Sequence, residues 1–398
     1  MRSGNVVVEP ATSARQARLA QAGLLSLILL SCGHFFVDLY SGALGALQPL
    51  LVRQFGMTLT DAGILGGLLV FSSSVMQLAY GYLSDRFPTR LFTALGPAVA
   101  GVFISSLGLA PSYGWLLVMV WLGGAGIATF HPQASAKAAL GREQKRARAM
   151  AIFISSGTLG FASGPTYFSL VSGWLGLERT YWAALPGLLI STLLTAFLPW
   201  GLSGRSKVAS RMNWKPLLDV WKPLAILYAL VFIRSIVQVT FAQFIPLYLH
   251  LERGYSVARA NYTLSLYLAC GAVGGFVGGH LADRFGGRVV ILISMLASVP
   301  FLALFLFSQG LLSVLGLLVG GLILLFTIPV NVVMAQELAP GQAGTVSALM
   351  MGFAWGMAGL VFIPLTGRIS DLFSIHQALM VLVGFPIIGF FLALRLPK

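Results

Sequence analysis

A short charged stretch occurs twice in this chain, at matching places in its two halves. The first copy reads Gly81-Tyr-Leu-Ser-Asp85-Arg86-Phe-Pro-Thr-Arg90, and the second reads Gly279-His-Leu-Ala-Asp283-Arg284-Phe-Gly-Gly-Arg288. Because the copies lie about half a chain length apart, the sequence predicts a tandem of two similar halves. In each copy the Gly permits two helices to approach closely, and the Asp and Arg side chains can pair across the turn. We interpret the stretch as a conformational motif, although an ordinary tight turn between two membrane helices has a similar composition.

The composition determines which solvent this chain needs. Its 398 residues are 57% hydrophobic and 9% charged, with a mean hydropathy of +0.88. Such a chain cannot expose its apolar side chains to water, so the lipid bilayer must be its solvent. The net charge of +14 does not indicate a nucleic-acid partner, because the Lys and Arg residues are spread among the turns between apolar segments.

Twelve apolar segments of membrane length follow one another, six in each half. They cover residues 22–51, 60–83, 91–110, 114–137, 147–172, 180–200, 222–250, 257–281, 289–308, 311–335, 343–367 and 375–395. The first segment is too long for a signal peptide, so we expect a retained helix. The predicted fold class is an all-α integral membrane protein with 12 transmembrane helices in two six-helix pseudo-repeats. The halves are predicted at 1–200 and 222–398, joined by a basic cytoplasmic linker at 201–221.

An even number of spans places both termini on one side of the membrane, and the distribution of Lys and Arg predicts which side that is. With these spans, 19 Lys and Arg residues fall on the side of the termini and 5 on the opposite side. Cytoplasmic loops carry the excess of positive charge in membrane proteins. The sequence therefore predicts that both termini are cytoplasmic.

The chain carries none of the common motifs of soluble enzymes. It has no phosphate-binding loop ending in Lys-Ser/Thr, no His-Glu-x-x-His and no Gly-x-Ser-x-Gly. Its two cysteines, Cys32 and Cys270, each lie within an apolar segment, which favours neither a disulfide nor a metal site. We therefore expect no catalytic residues, no metal and no cofactor. The functional candidates are the polar residues inside the spans, because a polar group is costly in lipid.

His34 and Asp38 are four residues apart in the first span, so they share one helix face about midway through the bilayer. A carboxyl group beside an imidazole at this depth is suited to carrying a proton. We assign proton coupling to Asp38, helped by His34. A structural hydrogen-bonded pair between helices is the alternative.

Arg234 lies in the seventh span, four residues before Gln238. A guanidinium group at this depth stays charged and needs a carboxylate, water or an anionic ligand as its partner. Because spans 1 and 7 hold equivalent places in the two halves, Asp38 and Arg234 can face each other across a central cavity. We interpret Arg234 as a substrate-binding residue. The alternative is a permanent ion pair with Asp38 that locks the halves together.

Further polar residues are weaker candidates for substrate binding: Gln238, Gln243, Asn331, Tyr40 and His131. His131 precedes a proline near the end of the fourth span, so a cavity role and a helix-capping role are both open. Small residues mark one face of spans 5 and 11, which predicts close helix packing, with a hinge in span 5 as a second role. These residues are Gly160, Gly164 and Pro165 in span 5 and Gly356 and Gly359 in span 11.

The six-plus-six arrangement, the basic linker and the Gly-x-x-x-Asp-Arg-x-x-x-Arg turns after spans 2 and 8 resemble the major facilitator superfamily. Four stretches more narrowly resemble the fosmidomycin resistance family of bacterial efflux transporters. These are Gly33-His34-Phe-Phe-Val-Asp38, Phe130-His131-Pro132, Ala335-Gln336-Glu337-Leu-Ala-Pro340-Gly341 and Gly352-Phe-Ala-Trp-Gly356-Met-Ala-Gly359. The basic residue of that family in span 7 is matched by Arg234. Span 5 is similar to the antiporter motif of drug-efflux members, but it lacks that motif's later glycine pair.

The resemblance implies proton-coupled efflux, by antiport, of small drug-like or anionic compounds such as fosmidomycin, and hence antibiotic resistance. Transport would proceed by alternating access around a midplane cavity. The resemblance also implies a multi-pass protein of the bacterial plasma (inner) membrane that functions as a monomer. Its partners would be a small-molecule substrate, protons and the lipid bilayer.

Other functions remain open at this point. Proton-coupled uptake of an organic anion or sugar uses the same kinds of residue. A membrane enzyme would need a nucleophile with its base, or a set of metal ligands, at one bilayer depth. A sensor would need a soluble signalling domain, and the longest charged segment of the sequence is the linker.

Overall fold

The computed structural model describes residues 11–86, 91–138, 146–198 and 215–396. Within these ranges the chain forms helices and no strand, which confirms the predicted all-α class. Ten of the helices are long and apolar enough to cross a bilayer. Two more complete the series, the shorter apolar helix Leu91–Ser105 and the helix Arg146–Leu175.

The long helices are numbered here in chain order. They are α1 (Gln21–Phe55), α2 (Leu59–Leu83), α3 (Leu91–Ser105), α4 (Tyr113–Lys137), α5 (Arg146–Leu175), α6 (Leu177–Phe197), α7 (Trp221–Glu252), α8 (Val257–Phe285), α9 (Gly287–Phe307), α10 (Gly310–Leu338), α11 (Pro340–Leu372) and α12 (Ile375–Ala393). Helix α1 continues N-terminally to Ala11 and is interrupted once, between Ser41 and Ala43. Helix α10 is interrupted between Leu324 and Thr327. The predicted linker lies largely outside the described residues, apart from a short helix at Lys215–Asp219.

The outer surface of the bundle is apolar, as a bilayer requires. Large side chains such as Leu189, Phe276 and Phe391 are more than 60% exposed, at 63%, 68% and 62%. Water would strongly disfavour such a surface, whereas lipid tails accept it. Because lipid is as apolar as these side chains, close packing of small residues has to hold the helices together.

The two halves repeat the same helix contacts. A Cβ added to Gly123 of α4 would lie 2.7 Å from Ile104 of α3, and one added to Gly320 of α10 would lie 2.8 Å from Leu302 of α9. Both glycines therefore permit a close approach that alanine would prevent. These equivalent contacts agree with the duplication inferred from the sequence.

The halves meet along α2 and α11, which pack against each other through glycines. A Cβ on Gly63 of α2 would lie 2.6 Å from the carbonyl oxygen of Ile363, and one on Gly67 would lie 3.1 Å from that of Gly359. On the other side of the bundle, Thr166 of α5 donates from both its amide (3.0 Å) and its hydroxyl (2.8 Å) to the hydroxyl oxygen of Ser265 on α8. The contacts between the halves are thus close but weakly polar.

One end of the bundle is sealed by hydrogen bonds between the halves. The carboxylate of Asp371, at the end of α11, accepts from the amides of Leu59 and Thr60 at 2.8 Å each and from the Thr60 hydroxyl at 2.5 Å. These amides open α2 and have no partner within their own helix, so a carboxylate is a favourable cap for them. We call this contact the Asp371 latch. Gln48 of α1 also donates to Gln243 of α7 at 3.2 Å near this end.

The Asp371 latch gives a test of the closed end. Replacing Asp371 with Ala removes the acceptor for all three donors, so the closed state should lose population by roughly tenfold relative to the open one. Spin labels at Arg53 and Phe373, one in each half, report the distance by pulsed electron resonance once Cys32 and Cys270 are replaced.

Asp61→Ala is the matched control for this experiment. Asp61 caps the same helix start by accepting from the amide and hydroxyl of Thr58, at 3.0 and 2.7 Å, but both groups belong to one half. The control should leave the distance distribution unchanged. An unchanged distribution in Asp371→Ala would mean that the latch does not hold this end closed.

Candidate functional site

A cavity of about 320 Å³ lies between the halves, on the side of the seal that faces the chain termini. The residues of α2 that line it run from Leu69 to Gln77, from the middle of that helix toward its C-terminal end, and those of α11 come from its first half. Asp38, Thr158 and His131 line the wall contributed by the N-terminal half, and Gln238, Gln243 and Trp355 line the opposite wall. The bundle is therefore closed at the end of the Asp371 latch, and the cavity lies between that end and the side of the chain termini.

Asp38 is held by two histidines from different helices. Its Oδ2 lies 3.2 Å from Nε2 of His34 on the same helix, and its Oδ1 lies 3.1 Å from Nε2 of His131 on α4. The two carboxylate oxygens therefore each face one imidazole. His34 and Asp38 share a helix face as the sequence predicted, and His131 takes the cavity position that was one of its two expected roles.

Both imidazoles are fixed in place through their other ring nitrogen. Nδ1 of His34 contacts the carbonyl oxygen of Phe153 on α5 at 2.8 Å, and Nδ1 of His131 contacts that of Ile127 at 2.8 Å. The His34 ring also stacks on the Phe153 ring at 4.2 Å between centroids. The ligand atoms of His34, Asp38 and His131 lie within 4.8 Å of one another, a spacing that a divalent cation could also occupy.

Arg234 lies in the opposite half with few partners. Its side chain is 5% exposed and is not among those that line the cavity. One guanidinium nitrogen donates to Oε1 of the cavity-lining Gln238 at 2.5 Å, and Nε has no partner among the described residues. The guanidinium also lies 5.8 Å from the ring of Trp355 on α11. Among the described residues both salt bridges belong to Asp38, and neither involves Arg234. The Asp38–Arg234 ion pair that the sequence left open is not formed in this structure.

Other unpartnered polar groups lie in the same half. Within the described part of the chain, both side-chain amide atoms of Asn331 on α10 lack a partner although the residue is fully buried. The buried hydroxyl of Tyr267 on α8 likewise has no partner there. Buried polar groups are seldom left unpaired, so these groups are candidates to bind water or a polar ligand.

Tyr40 occupies a different place from the one expected of a substrate-binding residue. It is fully buried, and its hydroxyl donates to the carbonyl oxygen of Ala183 at 3.0 Å. The Tyr40 hydroxyl oxygen also accepts from the amide of Gly187 at 2.9 Å. The hydroxyl therefore joins α1 to α6, and Tyr40 is not among the residues that line the cavity. Its place in the fold is that of a packing residue.

The small-residue faces pack as the sequence predicted. Gly160 and Gly164 lie against backbone carbonyls of α1, within one half. Gly356 and Gly359 lie against Val75 and Val70 of α2 in the other half. Pro165, expected as part of a hinge, lies inside the single α-helix Arg146–Leu175.

The repeated motif is described only in part. Gly81 and Gly279 hold equivalent positions, because a Cβ on each would lie 3.7 and 3.8 Å from Pro132 and Pro329. Arg288 donates to the carbonyl of Leu394 at 2.8 Å. The remaining described members, Arg86, Asp283 and Arg284, are exposed. The side chain of Asp85 and residue Arg90 lie outside the described part of the chain.

Comparison with known proteins identifies the family. The Major Facilitator Superfamily pattern matches residues 30–363. The chain belongs to this superfamily. Membership makes it a multi-pass membrane transporter, as its fold and lipid-facing surface also indicate.

Two relatives of the family span nearly the whole chain. An uncharacterized MFS-type transporter of Bacillus subtilis (strain 168), YfnC, is 32% identical over 94% of this chain and 92% of its own. The fosmidomycin resistance protein of Escherichia coli (strain K12) is 30% identical over 96% and 95%. The resemblance to the fosmidomycin resistance family is thereby confirmed.

The fold also matches solved structures of the family. An inward-facing, occupied bacterial homolog of the human lysosomal transporter Spinster has a TM-score of 0.80 at 16% identity, covering 93% of this chain and 96% of that one. The Escherichia coli fucose:proton symporter FucP (N162A) has a TM-score of 0.61 at 16% identity, covering 95% and 100%. These similarities support the six-plus-six helical architecture.

Sequence reasoning missed three residues near the cavity or its seal. Gln48 contacts Gln243 across the halves, Trp355 lies over Arg234, and Asp371 forms the latch. Gln48 is a buried amide within an apolar span and could have been found by the criterion applied to Gln243. Asp371 lies just after the apolar segment predicted at 343–367, where the sequence does not distinguish it from a charged loop residue.

Gly157 gives a test of the packing around Asp38. A Cβ at Gly157 would lie 2.6 Å from Oδ2 of Asp38 and closer still to the His34 ring. Gly157→Ala should therefore destabilise the protein by about 1–3 kcal/mol through overpacking. Thermal unfolding in detergent measures the effect.

Two further variants make that measurement specific. Gly173→Ala lies on the same helix with open space around it, so it should not lower the melting temperature. His34→Ala in the Gly157→Ala background should recover part of the loss, because it removes the ring that the new methyl group meets. Equal melting temperatures for Gly157→Ala and Gly173→Ala would contradict the described arrangement.

Proposed function

We propose that this chain exports small drug-like or anionic compounds in exchange for protons, with the cavity lined by Asp38 and Gln238 as the shared site and Arg234 behind Gln238. The observation that carries the proposal is the contact of Asp38 with His34 and His131 at the cavity wall. A carboxylate with two imidazoles can take up and release protons within the pH range of a cell. The name of the fosmidomycin resistance relative supports efflux as the direction.

Orientation follows from the distribution of charge. The excess of Lys and Arg on the side of the termini supports cytoplasmic termini in a bacterial inner membrane. The cavity is then on the cytoplasmic side of the seal, and the Asp371 latch closes the periplasmic end. This is the conformation in which an exporter takes up its substrate. One chain supplies both walls of the cavity, which supports a functional monomer.

The geometry provides a route to exchange. Without protons, the carboxylate oxygens of Asp38 and the Nε2 atoms of the two histidines are all acceptors, so they can bind N–H or O–H groups of a substrate. Arg234 then binds the acidic or acceptor end of the same molecule from the other half. Protons arriving from the periplasm occupy the same lone pairs and displace the substrate. Protons and substrate therefore compete, which is the requirement for antiport.

The charge of the cavity favours a second candidate, proton-coupled uptake of an organic anion. Arg234 has no carboxylate partner among the described residues, so protonating Asp38 leaves the cavity positively charged. An anion would then bind together with protons, and linkage between the two would give symport. The two candidates predict opposite effects of protons on substrate affinity.

Transport in inside-out vesicles tests the proposal. Fosmidomycin, other phosphonates, cationic drugs and sugars are added to energised vesicles, and a pH-sensitive dye reports proton movement. Antiport predicts proton efflux from the lumen when a substrate is added. Asp38→Asn should abolish this signal, and Arg234→Gln should weaken transport of acidic compounds roughly 100-fold or more, because a buried charge loses its partner.

The controls separate charge from folding. Arg234→Lys keeps the charge but loses the two-pronged geometry, so it should be partly active. Asp61→Asn changes a carboxylate outside the cavity and should transport normally. Full proton exchange in Asp38→Asn would overturn the assignment of proton coupling to this residue.

A further inference from the structure

The contacts of Asp38 define how many protons its site holds. We propose that His34, Asp38 and His131 form a two-proton site, in which each carboxylate–imidazole contact contains one exchangeable proton. This inference rests on the proposed function and specifies its coupling: two protons for each substrate. The supporting observations are the four contacts made by the Nδ1 and Nε2 atoms of His34 and His131.

In both histidines one ring nitrogen, Nδ1, faces a backbone carbonyl oxygen. A carbonyl oxygen only accepts hydrogen bonds, so Nδ1 of His34, 2.8 Å from the Phe153 oxygen, must carry a hydrogen. The same holds for Nδ1 of His131, 2.8 Å from the Ile127 oxygen. A neutral imidazole has one N–H, and in both rings it is used here. In the neutral rings each Nε2 is therefore a bare acceptor.

The other ring nitrogen of each histidine, Nε2, faces the carboxyl group of Asp38. Each Nε2 points at an oxygen of Asp38, at 3.2 Å for His34 and 3.1 Å for His131, and an ionised carboxylate is also only an acceptor. Two acceptors at this distance repel each other unless a proton lies between them. Because the rings approach different oxygens, Oδ2 and Oδ1, one proton cannot serve both contacts. The observed arrangement needs two.

Two distributions of these protons satisfy both contacts. In one, both imidazoles are cationic and Asp38 is ionised. In the other, Asp38 is a carboxylic acid that donates to one imidazole, while the second imidazole is cationic and donates to the remaining oxygen. Each distribution includes at least one imidazolium ion and gives the three side chains a net charge of +1.

Among the described residues that line the cavity, Asp38 and His131 are the only carboxylate and imidazole. Helix α5 contributes Phe153, Thr158 and Phe161 to this region, and α2 contributes serines and Gln77. Helix α4 contributes His131 itself. Across the cavity, Arg234 of α7 lies behind Gln238 and is a cation. The two protons are therefore assigned to the three side chains named above.

Loss of one proton disrupts the whole site. One contact then sets two lone pairs against each other, so that ring and the carboxylate must separate. The separation also removes the geometry that holds the remaining proton. We therefore expect the two protons to leave together. At equilibrium, the ratio of substrate concentrations across a membrane then varies with the square of the ratio of proton concentrations. A pH difference of one unit then supports a ratio of about 100-fold, against about 10-fold for one proton.

Nitrogen-15 NMR of labelled histidine tests proton occupancy without any substrate. The full-length protein in detergent with EDTA is measured at pH 7.5, and the five histidines are assigned with His34→Gln and His131→Gln. The expected result is an imidazolium signal from His34, His131 or both, which disappears in Asp38→Asn. If both rings are neutral with hydrogen on Nδ1, the site holds at most one proton and the proposal is overturned.

Proteoliposomes separate this inference from the proposed function. The equilibrium gradient of fosmidomycin, used as the probe, is measured against imposed pH differences with the electrical potential clamped at zero. A slope of two decades per pH unit supports two-proton exchange. A slope of one overturns the two-proton site and leaves antiport in place. A gradient that does not depend on pH overturns the proposed antiport of the probe, and the NMR result still decides proton occupancy.

Discussion

A charged group inside a bilayer needs a partner, and the organisation of this protein follows from how two such groups obtain theirs. Asp38 has two imidazoles, each fixed by a backbone carbonyl. Arg234 has one glutamine and one aromatic ring, and its Nε is left unpaired. In the proposed function the first site takes up protons and the second binds an acceptor group of the substrate. A charged group inside lipid is costly without a partner, so such ligands would stabilise the conformation that binds them.

The two sites lie in different halves, and the contacts between those halves are of a kind that can be rearranged. Along α2 and α11 the packing uses glycines and backbone atoms, which slide more readily than interlocked large side chains. At the sealed end the polar contacts are a few hydrogen bonds, including the Asp371 latch and the pair Gln48–Gln243. A ligand that favours another arrangement of the halves has only these contacts to break at that end, as alternating access requires of a transporter.

Much of the fold could be predicted because its causes are local. Span length follows from hydropathy, duplication follows from the repeated turn, and the pairing of His34 with Asp38 follows from their spacing on one helix. His131 as the second imidazole could not be derived, because it depends on how α4 packs against α1. Tyr40 was misplaced for the same reason, since its hydroxyl is satisfied by α6. Asp371 was overlooked because only the closed arrangement of the halves brings it to the start of α2.

If protons and substrate compete for Asp38, the affinity for substrate must vary with pH in a way that depends on this carboxyl group. Fosmidomycin binding to the purified protein is measured by calorimetry from pH 5.5 to 8.5, with the ionisation of fosmidomycin itself taken into account. Competition predicts that the dissociation constant falls as pH rises and that this dependence disappears in Asp38→Asn. Binding that tightens as pH falls would contradict competition and favour symport of anions. Binding that does not depend on pH would show that Asp38 and the substrate are not coupled.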